Sequence, residues 1–138
     1  MAILNVTPDS FSDGGEHLDP AQAIDDGLRF VSEGADIVDV GGESTRPGSR
    51  PTAPDEELQR VLPVVEGLAK RDVIVSIDTR RASVARACLD AGARIVNDIS
   101  ALEDDAELLP LVARRGVPVV LMHRRGRPED KYVVPAYA

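Results

Sequence analysis

Short runs of β-branched residues alternate along the chain with stretches in which apolar residues recur every three or four positions. The first apolar run is Ala2-Ile3-Leu4-Asn5-Val6, and a turn-rich stretch from Thr7 to Asp19 follows it. Asp19-Pro20 reads as an N-cap with proline at the first helical position. Ala21, Ile24, Leu28 and Val31 then repeat at helical spacing, and Gly34 supplies a stop. Asp36 to Val40 forms a second strand-like run ending in Gly41-Gly42, and a polar loop extends to about Ala53. Leu58, Val61, Leu62, Val65 and Leu68 mark a second helix. Its first turn holds Asp55, Glu56 and Glu57 and its last Lys70 and Arg71, both favourable to the helix dipole. Pro63 inside it predicts a kink. Val73 to Ile77 is the third strand, 80–91 a short helix stopped at Gly92, and Arg94 to Val96 a fourth strand. Asp104 to Arg115 is a fourth helix, stopped by Gly116, in which Pro110 is at odds with a straight course. Val117 to Leu121 is a fifth strand, and Met122 to Ala138 shows no clear period.

The order is βαβαβαβαβ, which implies parallel pairing with right-handed crossovers. An open doubly wound sheet and part of a (β/α)8 barrel both fit. The first strand is followed by NVTPDSFSDGG rather than by G-x-G-x-x-G, which argues against a dinucleotide fold without choosing the barrel. The polar residues at the strand ends carry the chemical signal. Asn5, Glu43, Asp78, Asn97-Asp98 and His123 each end or follow a strand, so they converge on one rim, the side on which such folds bind ligands. Singly, an Asn or Asp after a strand is an ordinary loop cap; all five strands ending this way favours a site. Asp39 lies inside a strand on the face of Ile37, which implies a buried carboxylate with a partner.

Composition narrows the field. The 138 residues suit one domain, 43% hydrophobic and 29% charged residues exclude compositional disorder, and the net charge of −8 disfavours nucleic acid. Residues 122–138 carry four basic and two acidic side chains, so the acidic excess lies before them. The four aromatics, Phe11, Phe30, Tyr132 and Tyr137, leave little for base stacking. No apolar run reaches the length of a membrane span and no secretory leader opens the chain, so a soluble cytoplasmic protein is expected. The single cysteine, Cys88, sits on an Ala-rich helix face and reads as a small core residue. The loops 7–19 and 42–53 are longer than such connections usually are. The second, GGESTRPG, joins glycines with Ser, Thr and Arg, a set that can hold an anionic oxygen group.

NVTPDSFSDGG (Asn5 to Gly15) and GGESTRPG (Gly41 to Gly48), followed in order by SIDT (Ser76 to Thr79), NDIS (Asn97 to Ser100) and LMH (Leu121 to His123), resemble the signature segments of the dihydropteroate synthase family, pterin-binding (β/α)8 enzymes of folate biosynthesis and the target of sulfonamides. The resemblance implies condensation of 4-aminobenzoate with 6-hydroxymethyl-7,8-dihydropterin diphosphate and release of pyrophosphate. It implies that Asn5 helps hold Mg2+, that Asp78 and Asn97 hydrogen-bond the pterin, and that Met122 lies against it. Thr45 and Arg46 would meet the diphosphate, while Phe11, Ser44 and Pro47 would form the aminobenzoate pocket, with Asp13 and Arg46 near the reacting centre. A homodimer is implied for a full-length parent. By strand count, residues 1–138 would be a partial barrel of five strands and four helices, ending after the fifth strand. Ala101 departs from the family's usual glycine. Arg80 and Arg81 add positive charge either beside the diphosphate or on a solvated helix. A second pterin-binding acid, a lysine and a late Arg–His pair have no counterpart in these residues. Alternatives are a pterin or methyltetrahydrofolate module of a methyltransferase, which would share Asp78 and Asn97 but not the two long signatures, and a half-barrel without activity.

Overall fold

The computed structural model describes residues 1–8, 19–44 and 48–122. Five strands alternate with four helices: β1 (Ala2–Asn5), α1 (Pro20–Ser32), β2 (Ile37–Gly41), α2 (Pro54–Ala69), β3 (Ile74–Asp78), α3 (Ala82–Asp90), β4 (Ile95–Asp98), α4 (Leu108–Arg115) and β5 (Val119–Leu121). All neighbours pair in parallel, in the order β1-β2-β3-β4-β5. That order decides between the two architectures left open by the sequence. A doubly wound sheet reverses its strand order at a switch point, whereas right-handed crossovers taken always in one direction put every helix on one face. The helices do pack side by side, α1 on α2, α2 on α3 and α3 on α4. The winding is that of a barrel.

Strand alternation then assigns the two faces. Leu4, Val38, Val40, Val75, Ile77 and Val96 point to the helices and form the core with Val61, Val64, Val65, Leu68, Val84 and Leu111. The other face carries Ile3, Asn5, Asp39, Ser76, Asp78, Asn97 and Val120, and Ile3 is 65% exposed there. Cys88 is fully buried among the core residues, and burial pushes its thiol up to about 12, so it is inert as a nucleophile.

Helix boundaries follow local chemistry. Asp19 caps α1 by accepting from Ala21 N–H at 2.9 Å, as its sequence predicts. α2 continues through the exposed Pro63, and Arg71, beyond its end, donates to the carbonyl of Gly67 at 2.9 Å. α4 begins at Leu108 rather than at Asp104, because Asp105 is committed elsewhere: its carboxylate accepts from Glu107 N–H at 2.9 Å and from Ala82 N–H at 2.8 Å, which also caps α3. Pro110 therefore falls in the first turn of α4, where its missing N–H loses no intrahelical bond. α3 likewise starts at Ala82, which leaves Arg80 and Arg81 ahead of the helix.

Ala101 has φ +54° and Leu102 φ +70°, held by Asp98, whose carboxylate accepts from Leu102 N–H at 2.7 Å. A side chain in that region costs about 1–2 kcal/mol. Ala101→Gly relieves it at the expense of a looser unfolded chain. The expected net gain is about 0.5–1 kcal/mol, read as a higher denaturant midpoint at unchanged slope.

Candidate active site

The carboxyl ends of the strands bring together what the sequence placed there. Asn5 pairs with Gly41, Gly41 with Asp78, Asp78 with Asn97, and Asn97 with Val120, so these five form one row across the inner face of the sheet. Met122 lies two residues beyond Val120, on the same face by alternation, and is 48% exposed. Gly41 makes room for the site. A Cβ there would stand 3.3 Å from Asp78 Oδ2, so the missing side chain lets the Asp78 carboxyl lie over β2.

Asp78 is half-buried, and no hydrogen bond to its carboxylate is found among the described residues. Burial, reinforced by the charges of Asp39, Glu57, Asp98 and Glu43, pushes it up to about 7. Asn97 is also half-buried, and its Nδ2 donates to Asp39 Oδ2 at 3.1 Å. Asp39 is 2% exposed. Burial raises its carboxyl above the ordinary value, with the adjacent Ser76 hydroxyl and the Asn97 bond tempering the rise. Asp39 Oδ1 and Ser76 Oγ each lack a hydrogen bond of full geometry among the described residues.

Two sequence expectations need correction. Asn97 and Asp98 do not share a role. Alternation turns Asp98 away from the site, fully buried, where it accepts from Ser100 N–H and Oγ–H, both at 2.8 Å, and shapes the turn after β4. Arg80 and Arg81 are neither solvated helix residues nor free cations for an anion. Arg80 meets Glu43 through Nε (2.9 Å) and Nη2 (3.3 Å) and reaches Asp104 at 3.5 Å. Arg81 meets Glu43 at 3.3 Å and Glu57 at 2.5 Å. Burial alone would raise the Glu43 carboxyl, but the Arg80 hydrogen bonds, Thr52 N–H at 2.9 Å and both guanidinium charges hold it below its usual range. Glu43 is thus an anchor. It cinches the start of the 42–53 loop to Thr52 and to the approach to α3. Glu57, 1% exposed, was read from sequence only as a helix-dipole acid. Its burial has no local signal, because its partner lies 24 positions away.

Ser44 is half-buried at the start of the same loop, and its carbonyl accepts from Ser49 Oγ at 2.9 Å. Phe11, Asp13, Thr45, Arg46, Pro47 and His123 lie outside the described residues. Among the described residues no three His, Cys, Asp or Glu side chains gather as a cation site. The exposed Asn5 amide offers a hard oxygen at the edge of the row, suited to an ion that takes most of its ligands from water and phosphate. No helix of the described residues is long and apolar enough to cross a membrane.

A barrel-type βα winding whose rim presents a half-buried carboxyl beside an amide defines an α/β barrel-class fold with a candidate ligand site at the carboxyl ends of its strands. The sequence model for pterin-binding enzymes matches residues 1–138, and the chain belongs to that family. It is 56% identical to the dihydropteroate synthase of Mycobacterium leprae over 99% of this chain and 49% of the relative, and 48% identical to that of Escherichia coli over the same shares. Among solved structures it superposes on Yersinia pestis dihydropteroate synthase in a sulfonamide drug complex with a TM-score of 0.87 at 49% identity, covering 99% of this chain and 49% of that one. Xanthomonas albilineans dihydropteroate synthase with 4-aminobenzoic acid gives 0.85 at 50% identity, covering 91% and 46%. The chain spans about half the length of these relatives.

Proposed function

We propose that these residues form the first five strands of a dihydropteroate synthase barrel and carry half of its active site. The observation that supports this most directly is the Asp78–Asn97 pair: register partners at adjacent strand ends, half-buried, with a carboxyl that no described residue satisfies. A pterin presents a planar edge of N–H donors, and an ionised carboxylate next to an amide oxygen matches it. Met122 would lie along the ring. Thr45 and Arg46 would hold the diphosphate, with Phe11, Ser44 and Pro47 around 4-aminobenzoate and Asp13 near the reacting carbon. Asn5 suits Mg2+ shared with the diphosphate; when bound, the ion would neutralise charge on the departing oxygens.

The reaction asks little acid–base work of the chain. The bond between the pterin methylene and the diphosphate oxygen breaks, and pyrophosphate leaves with both electrons. The methylene cation is delocalised into the pterin ring. The aromatic amine attacks it and loses its proton afterwards. The Arg46 guanidinium would stabilise the leaving group, and Asp78 and Asn97 would fix the ring in line for attack.

Calorimetric titration with dihydropterin diphosphate tests the reading. Binding is expected to strengthen with Mg2+ and to weaken at least about tenfold in Asp78→Ala, the loss of a hydrogen-bonded charged partner. An absence of binding with and without Mg2+ would leave only the fold. Release of pyrophosphate dependent on 4-aminobenzoate is expected to be absent from the 138 residues alone, since an eight-stranded barrel closes around its site.

A further inference from the structure

Asp39 touches no substrate in the chemistry above, although its charge helps to raise the Asp78 carboxyl, and its position is unfavourable for stability. It sits in the middle of β2, 2% exposed, with Oδ1 and the neighbouring Ser76 Oγ each short of a hydrogen bond of full geometry among the described residues. An apolar side chain in a buried strand would carry no such penalty. Its one hydrogen bond of full geometry among the described residues is to the amide of Asn97, across the intervening β3.

That bond decides which end of the amide is available. One of the two Nδ2 protons of Asn97 is committed to Asp39 Oδ2, which sets the orientation of the amide and leaves its carbonyl oxygen open to a ligand, with Asp78 as its register neighbour. We propose that Asp39 is a positioning residue: it fixes the Asn97 amide so that its carbonyl oxygen is offered beside the Asp78 carboxyl, which favours heterocycles with N–H donors along that edge. Without Asp39 the amide is free to turn over, and its NH2 would then face the ligand's own N–H groups, donor against donor. The ligand class rests on the proposed function, while the amide orientation is a property of the ligand-free protein.

Two variants of the 138-residue chain and two readouts test this. Asp39→Val removes the carboxylate with a side chain suited to strands; Asp39→Asn keeps shape and one acceptor. The first readout is hydrogen exchange at the Asn97 side-chain amide, followed by NMR without ligand. It is expected to be slow in the native chain, to rise severalfold or more in Asp39→Val and to be intermediate in Asp39→Asn. The second is affinity for dihydropterin diphosphate, expected to fall about tenfold in Asp39→Val with a thermal midpoint unchanged or raised, and to fall less in Asp39→Asn. Native exchange at Asn97 in Asp39→Val overturns the proposal whatever the ligand does. Undiminished affinity in that variant overturns it too, as does a loss of binding that merely follows a lower thermal midpoint. If the native chain binds no pterin, the proposed function fails, and the exchange measurement still decides the role of Asp39. If Asp39→Val does not fold, Asp39→Asn decides on the same two readouts.

Discussion

Asp78→Asn is expected to stabilise the chain at pH 8 while weakening pterin binding. In the unfolded chain the Asp78 carboxyl releases its proton near 3.8; in the folded chain it holds it up to about 7. Between those values the folded protein binds a proton that the unfolded chain has given up, so stability falls as pH rises. The loss begins near pH 4 and is complete above about pH 7. Asparagine fills the same space without ionising and escapes it. The difference between the variant and the native chain should be near zero below pH 4 and grow to the order of a few kcal/mol at pH 8. Denaturant midpoints across that range check the sign as well as the size. A constant difference at every pH would mean that Asp78 titrates normally. Binding should move oppositely, because the neutral amide offers a donor where the pterin edge needs an acceptor. Greater stability with poorer binding marks a group kept for its ligand.

The second large effect is expected at Glu57. It is 1% exposed and bonded to Arg81, which also reaches Glu43. Glu57→Ala would leave a largely buried guanidinium with one partner in place of two and open a cavity beneath α2. A destabilisation of about 3 kcal/mol is expected, toward the lower end for a broken buried pair because Glu43 remains. Glu57→Gln keeps an acceptor and should lose markedly less. The same change removes one of the charges that raise Asp78, so its titration midpoint should drop in Glu57→Ala. A loss of stability with no movement of that midpoint would separate the packing role from the electrostatic one.

The two effects also show what could be read from the chain alone. The strands and helices were legible because their apolar periods are local, and the site rim was legible because Asn5, Asp78 and Asn97 end strands. Period-two alternation, applied residue by residue, would have separated Asn97 from Asp98 and put Ser76 on the site face. The start of α4 was misread because Asp105 is engaged by Ala82 N–H, a bond between segments 23 positions apart. Glu43, Arg80 and Arg81 were misassigned, and the buried ion pair of Glu57, correctly placed in the first turn of α2, was missed, for the same reason: their partners are distant in sequence, and a charged residue in a loop or first helical turn looks solvated until its neighbours are known. The family resemblance supplied roles for Asn5, Asp78 and Asn97 that spacing alone would have left as caps. It offered nothing on Asp39, whose meaning came from the Asn97 amide.

The burial of Cys88 gives the chain an intrinsic clock. It is the sole thiol, it lies at zero exposure on the inner side of α3, and its thiolate is suppressed until about pH 12. A thiol reagent can reach it only when α3 lifts from the core. At neutral pH its labelling rate therefore counts openings of that helix, with no engineered probe, and comparing that rate with global unfolding tells whether the α3 segment opens alone or only with the whole sheet.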